Sequence, residues 1–168
     1  MKNNLNYFLL MSLMIFMISC SSQQNQSQAN DATRDEQQAR NTLVTYLDSV
    51  HNRKYAEAAQ LYGGSYEIMM DHNPDVPPDE PAALFRNACT LNGMQCLQLR
   101  NLTLAGSVSD SEFVFKVEFM LEDGKTFILG PCCGSDDENY PSQSEFYFTV
   151  KKIEPGRFAV MNTPPYLP

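Results

Sequence analysis

The sequence predicts an α+β domain, three helices followed by an antiparallel sheet of four to five strands. Two observations carry this reading. In three stretches before Gly93, over 34–50, 55–62 and 81–91, apolar residues recur at steps of three and four, the period of a helix buried on one side. From Gln95 to Met161 they recur at steps of two, the period of a half-buried strand. Helices first and strands afterwards is the order of an α+β chain, in which strands pair without helical crossovers.

The first helix is expected over 34–50, where Ala39, Leu43, Tyr46, Leu47 and Val50 line one face against Gln38, Asn41, Asp48 and Ser49. His51-Asn52-Arg53 breaks that pattern. A second, shorter helix carries Tyr55, Ala58, Ala59 and Tyr62 on one side and stops at Gly63-Gly64. Ser65 to Met70 reads as a short strand. Asp71 to Asp79, with three prolines and three acids, reads as a loop. A third helix opens near Pro81, capped by Asp79 or Glu80, because proline is preorganised for a first helical turn. It buries Leu84, Phe85, Ala88 and Cys89 and ends at Asn92-Gly93.

Leu97 and Leu99 alternate on one parity, Leu102 and Leu104 on the other, which predicts a β-bulge near Arg100-Asn101. Phe113, Phe115, Val117, Phe119 and Leu121 make the clearest strand. Glu122-Asp123-Gly124-Lys125 is a hairpin signal that turns it back into Thr126 to Leu129. Glu145 to Ile153 is a further strand with Phe146, Phe148 and Val150 on one face. Glu154-Pro155-Gly156 then turns into a last strand, Arg157 to Met161. No internal repeat is visible.

The stretch Ala39-Arg40-Asn41-Thr42-Leu43-Val44-Thr45-Tyr46-Leu47-Asp48-Ser49-Val50, followed by Tyr55-Ala56-Glu57-Ala58-Ala59-Gln60-Leu61-Tyr62, resembles the opening helix pair of NTF2-like (cystatin-like α+β) domains. The resemblance implies a strongly curved sheet with helices on its concave side, enclosing a conical pocket. It extends over 34–162 as an element order, and by residue over the helix pair alone. Such a pair supports the fold and says little about chemistry.

The N-terminus predicts the compartment. Lys2 precedes an apolar stretch, Leu5 to Ile18, of about 14 residues, short of the roughly 20 that span a bilayer as a helix. It closes on Met17-Ile18-Ser19-Cys20, which resembles a bacterial lipobox, although Met17 stands where leucine is usual. The resemblance implies a lipoprotein signal peptide at 1–19 and a Cys20 that carries acyl chains such as palmitate. The competing reading is an uncleaved membrane anchor. Ser21 to Gln28 is wholly polar and is expected to be a flexible tether, giving 20–33 as tether and 34–168 as the folded domain. Acyl chains on one cysteine hold a protein to a membrane, each buried CH₂ contributing about 0.8 kcal/mol. The expected location is therefore the cell envelope, membrane-anchored and facing away from the cytoplasm.

Twelve Lys and Arg stand against twenty Asp and Glu, for a formal net charge of −8. No basic stripe is present to neutralise phosphates, so nucleic acid is not an expected partner. Of five cysteines, Cys20 leaves Cys89, Cys96, Cys132 and Cys133 for the folded domain. An even count in an exported domain reads as disulfides. Cys89–Cys96 would staple the corner after the third helix. The crossed pairings, which tie Cys132-Cys133 to that corner, are preferred, because Pro131 and Gly134 free the pair from strand geometry. Four thiolates could hold zinc, but there is no Cys-x-x-Cys arm and the compartment is oxidising.

Asp71-His72-Asn73-Pro74-Asp75 begins like a calcium loop, yet Val76 replaces the required glycine and Ala82 the bidentate glutamate. A solvated acidic loop is the better reading there, and also at Asp136-Asp137-Glu138. The acid–base candidates are Tyr46, Tyr62, Tyr66, His72, Glu118 and Tyr147, with no triad or carboxylate-pair spacing among them. No catalytic residue and no cofactor is assigned. The expected function is a lipid-anchored extracytoplasmic binding or structural domain. A small apolar ligand could sit in the cone of the sheet, lined by Tyr46, Tyr62, Phe115, Phe119 and Phe148; an envelope protein is the other expected partner. The alternative is a pocket enzyme of the isomerase or hydrolase-like NTF2 type.

Overall fold

The computed structural model describes residues 21–130 and 142–167, and the packed domain is Asp35–Pro168. Four helices are described: α1 (Ser21–His51), α2 (Tyr55–Leu61), α3 (Glu67–Asp71) and α4 (Pro81–Thr90). They precede four strands: β1 (Gln98–Ser109), β2 (Glu112–Met120), β3 (Phe146–Glu154) and β4 (Arg157–Val160). The strands form one antiparallel sheet in the order β1-β2-β3-β4, so consecutive strands are neighbours throughout. The α+β class follows. Among the described residues no helix is long and apolar enough to cross a membrane.

β2 holds the centre. Phe113, Phe115, Val117 and Phe119 are buried while the alternate residues are half-exposed, which is the pattern of a strand with one face in the core. Across the register Phe115 faces Leu104 on one side and Phe148 on the other, and Phe113 faces Val150. Phe119 packs against Phe146 and Phe148, with ring centroids 5.6 Å and 6.2 Å apart. Ala39, Leu43, Tyr46, Leu47 and Val50 of α1 belong to the same core cluster. Phe115, Phe119 and Phe148 are no more than 1% exposed, and each contributes on the order of 2–3 kcal/mol through its burial.

Polar contacts fix the helix on the sheet. Asp35, buried at the start of the packed part of α1, pairs with Lys152 of β3 at 2.5 Å. Arg40 donates to the Leu102 carbonyl of edge strand β1 at 3.0 Å and lies over the Phe115 ring, 5.3 Å from its centroid. The outer face of the sheet is charged, with Lys116–Glu145 at 2.7 Å and Lys151–Glu112 at 3.2 Å.

The register of β1 on β2 shifts between Leu99 and Asn101, where the change of parity predicts a bulge. Three expectations are corrected. First, α1 is helical from Ser21, the first described residue, well before the expected start near Arg34, since extending an existing helix adds one hydrogen bond per residue fixed. Second, Ser65 to Met70 is not a strand. Glu67–Asp71 forms one helical turn that buries Met69, and Ser65 Oγ accepts from the Glu67 amide at 3.1 Å. Three helices thus become four. Third, Thr126 to Leu129 does not form a strand: the return from Gly124 (φ 82) makes single bridges, Met120 to Thr126 and Leu129 to Gln143.

The cysteine expectation is corrected as well. Cys89 and Cys96 are joined, with their Cα atoms 5.6 Å apart, which excludes both crossed pairings. The reason is local. The Leu91 amide bonds to the Asn87 carbonyl, and Gly93 (φ 80) lets the Met94 amide reach the Ala88 carbonyl at 3.0 Å. The chain therefore doubles back within one turn of the helix end and brings the two thiols into bonding geometry. Cys20, Cys132, Cys133 and Asp136 to Glu138 lie outside the described residues.

Candidate functional site

The residues expected to line a cone are packed together. Tyr46, Phe115 and Phe119 have no exposed surface and Phe148 has 1%. Tyr62 reaches the surface in a shallow pocket of about 210 Å³ with Ser65, Met69 and Asn162. Its ring stacks on Tyr46 at 6.1 Å and meets Tyr66 and Phe85 edge-on at 5.0 Å and 5.4 Å. The structure thus brings three acid–base candidates, Tyr46, Tyr62 and Tyr66, into one aromatic cluster.

Gly64 permits this arrangement, because a Cβ there would overlap the Met161 carbonyl and the Tyr62 hydroxyl. The Tyr62 hydroxyl donates to the Ser65 carbonyl at 2.8 Å, whereas those of Tyr46 and Tyr166 are buried without a hydrogen-bond partner. Burial, followed by the neighbouring phenols Tyr62, Tyr66 and Tyr166, raises the Tyr46 phenol well above its ordinary value. Burial pushes Tyr62 up to about 12. Phenols raised in this way stay neutral at physiological pH and are poor bases.

The other candidates lie apart from the cluster. His72 is exposed in the loop after α3, and Glu118 and Tyr147 sit on the outer face of the sheet, Tyr147 being 56% exposed. In the Asp71 to Asp75 loop the Asn73 side chain turns inward, donating to the Met69 carbonyl at 2.7 Å and accepting from Asn87 at 3.0 Å. That leaves exposed Asp71 and Asp75 without the middle ligand of a calcium loop. Among the described residues no group of three or more His, Cys, Asp and Glu is placed to hold a metal.

Two clefts meet at Arg53 and Tyr55, which line both. The first, about 600 Å³, lies between the start of α2 and the start of α4 and carries Arg53, Lys54, Glu57, Asp79, Glu80 and Arg86. The second, about 580 Å³, runs along the disulfide corner and carries His51, Gln95, Gln98 and Glu122 beside Cys89 and Cys96. His51 Nδ1 lies 3.1 Å from the Cys96 carbonyl and ties the end of α1 to that corner.

The backbone explains why Arg53 stands between the clefts. The Arg53 amide bonds to the Val50 carbonyl at 3.2 Å and the Lys54 amide to the Ser49 carbonyl at 2.8 Å. These two bonds form a Schellman closure of α1. It places Arg53 in the left-handed position at φ 61, where glycine is usual. Sequence reading registers the break at His51-Asn52-Arg53 but not this site. The signal available is an arginine at the position where a helix-ending glycine is expected.

Comparison with known proteins gives no match: no family model fits the sequence, and no curated protein or solved structure is significantly similar to it.

Proposed function

We propose that this chain is a lipid-anchored domain of the bacterial cell envelope that acts by binding and not by catalysis, with Cys20 as the acylated residue. The observation that carries the reading is the Cys89–Cys96 disulfide, a bond that persists in oxidising compartments outside the cytoplasm. The resemblance of Met17-Ile18-Ser19-Cys20 to a lipobox supports it from the other end of the chain. The NTF2-like assignment is part of the same proposal. It is supported by helices that share one core with one face of a four-stranded antiparallel sheet.

Within this reading, binding belongs on the surface and not inside the cone. An apolar ligand there would have to displace Phe115, Phe119, Phe148 and Tyr46, all buried in one core, and close-packed interiors resist such displacement. The clefts that meet at Arg53 are open to solvent and lined by charged groups, among them Arg53, Asp79, Glu80 and Arg86. Fractionation of expressing cells tests the anchoring. The wild-type protein is expected in the membrane fraction and Cys20→Ser outside it. Full retention of Cys20→Ser on membranes would make 1–19 an ordinary anchor and remove the lipoprotein reading.

A further inference from the structure

We propose that the cleft between α2 and α4 binds a small zwitterion, an amino acid or short peptide bearing both carboxylate and ammonium, through Arg53 and Arg86 together with Asp79 and Glu80, all of which line it. Of the 12 Lys and Arg, all but Lys2 lie among the described residues, and nearly all of those hold a carboxylate or a backbone carbonyl. Arg53 and Arg86 are the two described cations whose side chains have no such partner, and both line this one cleft. In a chain of net charge −8 most guanidinium groups find an acid. Two unpaired ones lining a common cleft are both available to a carboxylate.

Arg53 adds a second observation. Its left-handed φ of 61 is a conformation that glycine adopts without strain, yet a guanidinium is placed there. The acids then define the ligand. Lys54 already pairs with Glu57 at 3.6 Å, whereas Asp79 and Glu80 have no ion partner among the described residues and line the same cleft. A simple anion would be repelled by them, and a simple cation by the arginines. A molecule with one charge of each sign meets both sets favourably. Tyr55, Pro81, Ala82 and Ala83 supply apolar wall for a short side chain.

The assignment rests on the reading of the domain as a binder but not on its anchoring, so the fractionation result leaves it untouched. The test is calorimetric titration of the full-length protein in detergent with glycine and alanyl-alanine, against acetate, inorganic phosphate and ethylammonium. Saturable binding of a zwitterion is expected, weakened about tenfold or more by Arg86→Gln and by Arg53→Gly. Arg53→Gly should keep or raise the melting temperature, because glycine accepts the left-handed turn, so its loss of binding is separable from a loss of fold. Acetate or phosphate binding as tightly as the zwitterions would overturn the assignment. So would the absence of saturable binding, or binding unchanged in both variants.

Discussion

Asp35 Oδ2 lies 2.5 Å from Lys152 Nζ, an ion pair that joins residues 117 apart and fastens the start of the packed helix to the third strand. The Asp35 side chain is 10% exposed and that of Lys152 29%, so both charges are largely out of water and each relies on the other. Lys152→Met should cost about 2 kcal/mol in urea unfolding, because it leaves a buried carboxylate unpaired. Asp35→Leu combined with Lys152→Met should recover most of that loss. A double variant worse than the single one would show that the pair is not the fastening.

Phe115→Ala should cost about 3–5 kcal/mol, the penalty of a large cavity in a packed interior. Phe115 is fully buried between Leu104 and Phe148 in the register and beneath the Arg40 guanidinium, so no open space exists for its neighbours to fill cheaply. Chemical denaturation checks this. A loss below about 1 kcal/mol would point to a loose, ligand-accessible cone.

Tyr46→Phe should stabilise the domain by about 1 kcal/mol, since it removes a buried hydroxyl that has no hydrogen-bond partner while keeping the ring. A destabilisation of similar size would mean that the hydroxyl is satisfied in solution.

The raised phenols also set an alkaline limit. Tyr46 and Tyr62 bind their protons more tightly in the folded chain than their ordinary value of 10 allows, Tyr62 holding to about 12. The unfolded chain therefore ionises first. The stability tied to these protons is complete below pH 10 and is lost as pH rises from 10 through 12. The Lys116 ammonium, raised chiefly by its hydrogen bond to Glu145, has the same sign and acts in the same alkaline direction. Melting temperature should fall steeply above pH 10, with tyrosinate absorbance rising in step with unfolding. Full ionisation of every tyrosine at pH 11 in a still-folded protein would contradict the burial of the cluster.

Much of the sheet was legible because a half-buried strand writes its alternation into the sequence. The run from Phe113 to Phe119 has one buried face, and the parity change after Leu99 located the bulge within a residue. Ser65 to Met70 misled because three apolar residues in a row carry no period, and only packing decides that Met69 is buried while Ile68 is 59% exposed. The disulfide pairing is not legible for a related reason: the crossed pairings and Cys89–Cys96 both fit the spacing. The reversal at Gly93 depends on a helix closure that spacing does not reveal. The Arg53–Arg86 cleft is not legible, since Arg53 closes one helix, Arg86 lies within another, and their lack of partners is a property of the fold.

The Cys89–Cys96 staple closes a loop of about eight residues, and its removal in Cys89→Ser/Cys96→Ser should cost about 2–3 kcal/mol by chain entropy. The same loss should follow treatment of the wild type with reductant. An unchanged melting temperature under reduction would show that the α4 to β1 corner holds without the bond.

Anchoring through Cys20 is the central claim, and intact-mass spectrometry of the protein extracted from its own membranes tests it most directly. The mature chain is expected to begin at Cys20 and to be heavier than the peptide by its acyl groups, with the Cys89–Cys96 bond intact. A chain that still carries residues 1–19, or one that begins at Cys20 without added mass, would contradict it.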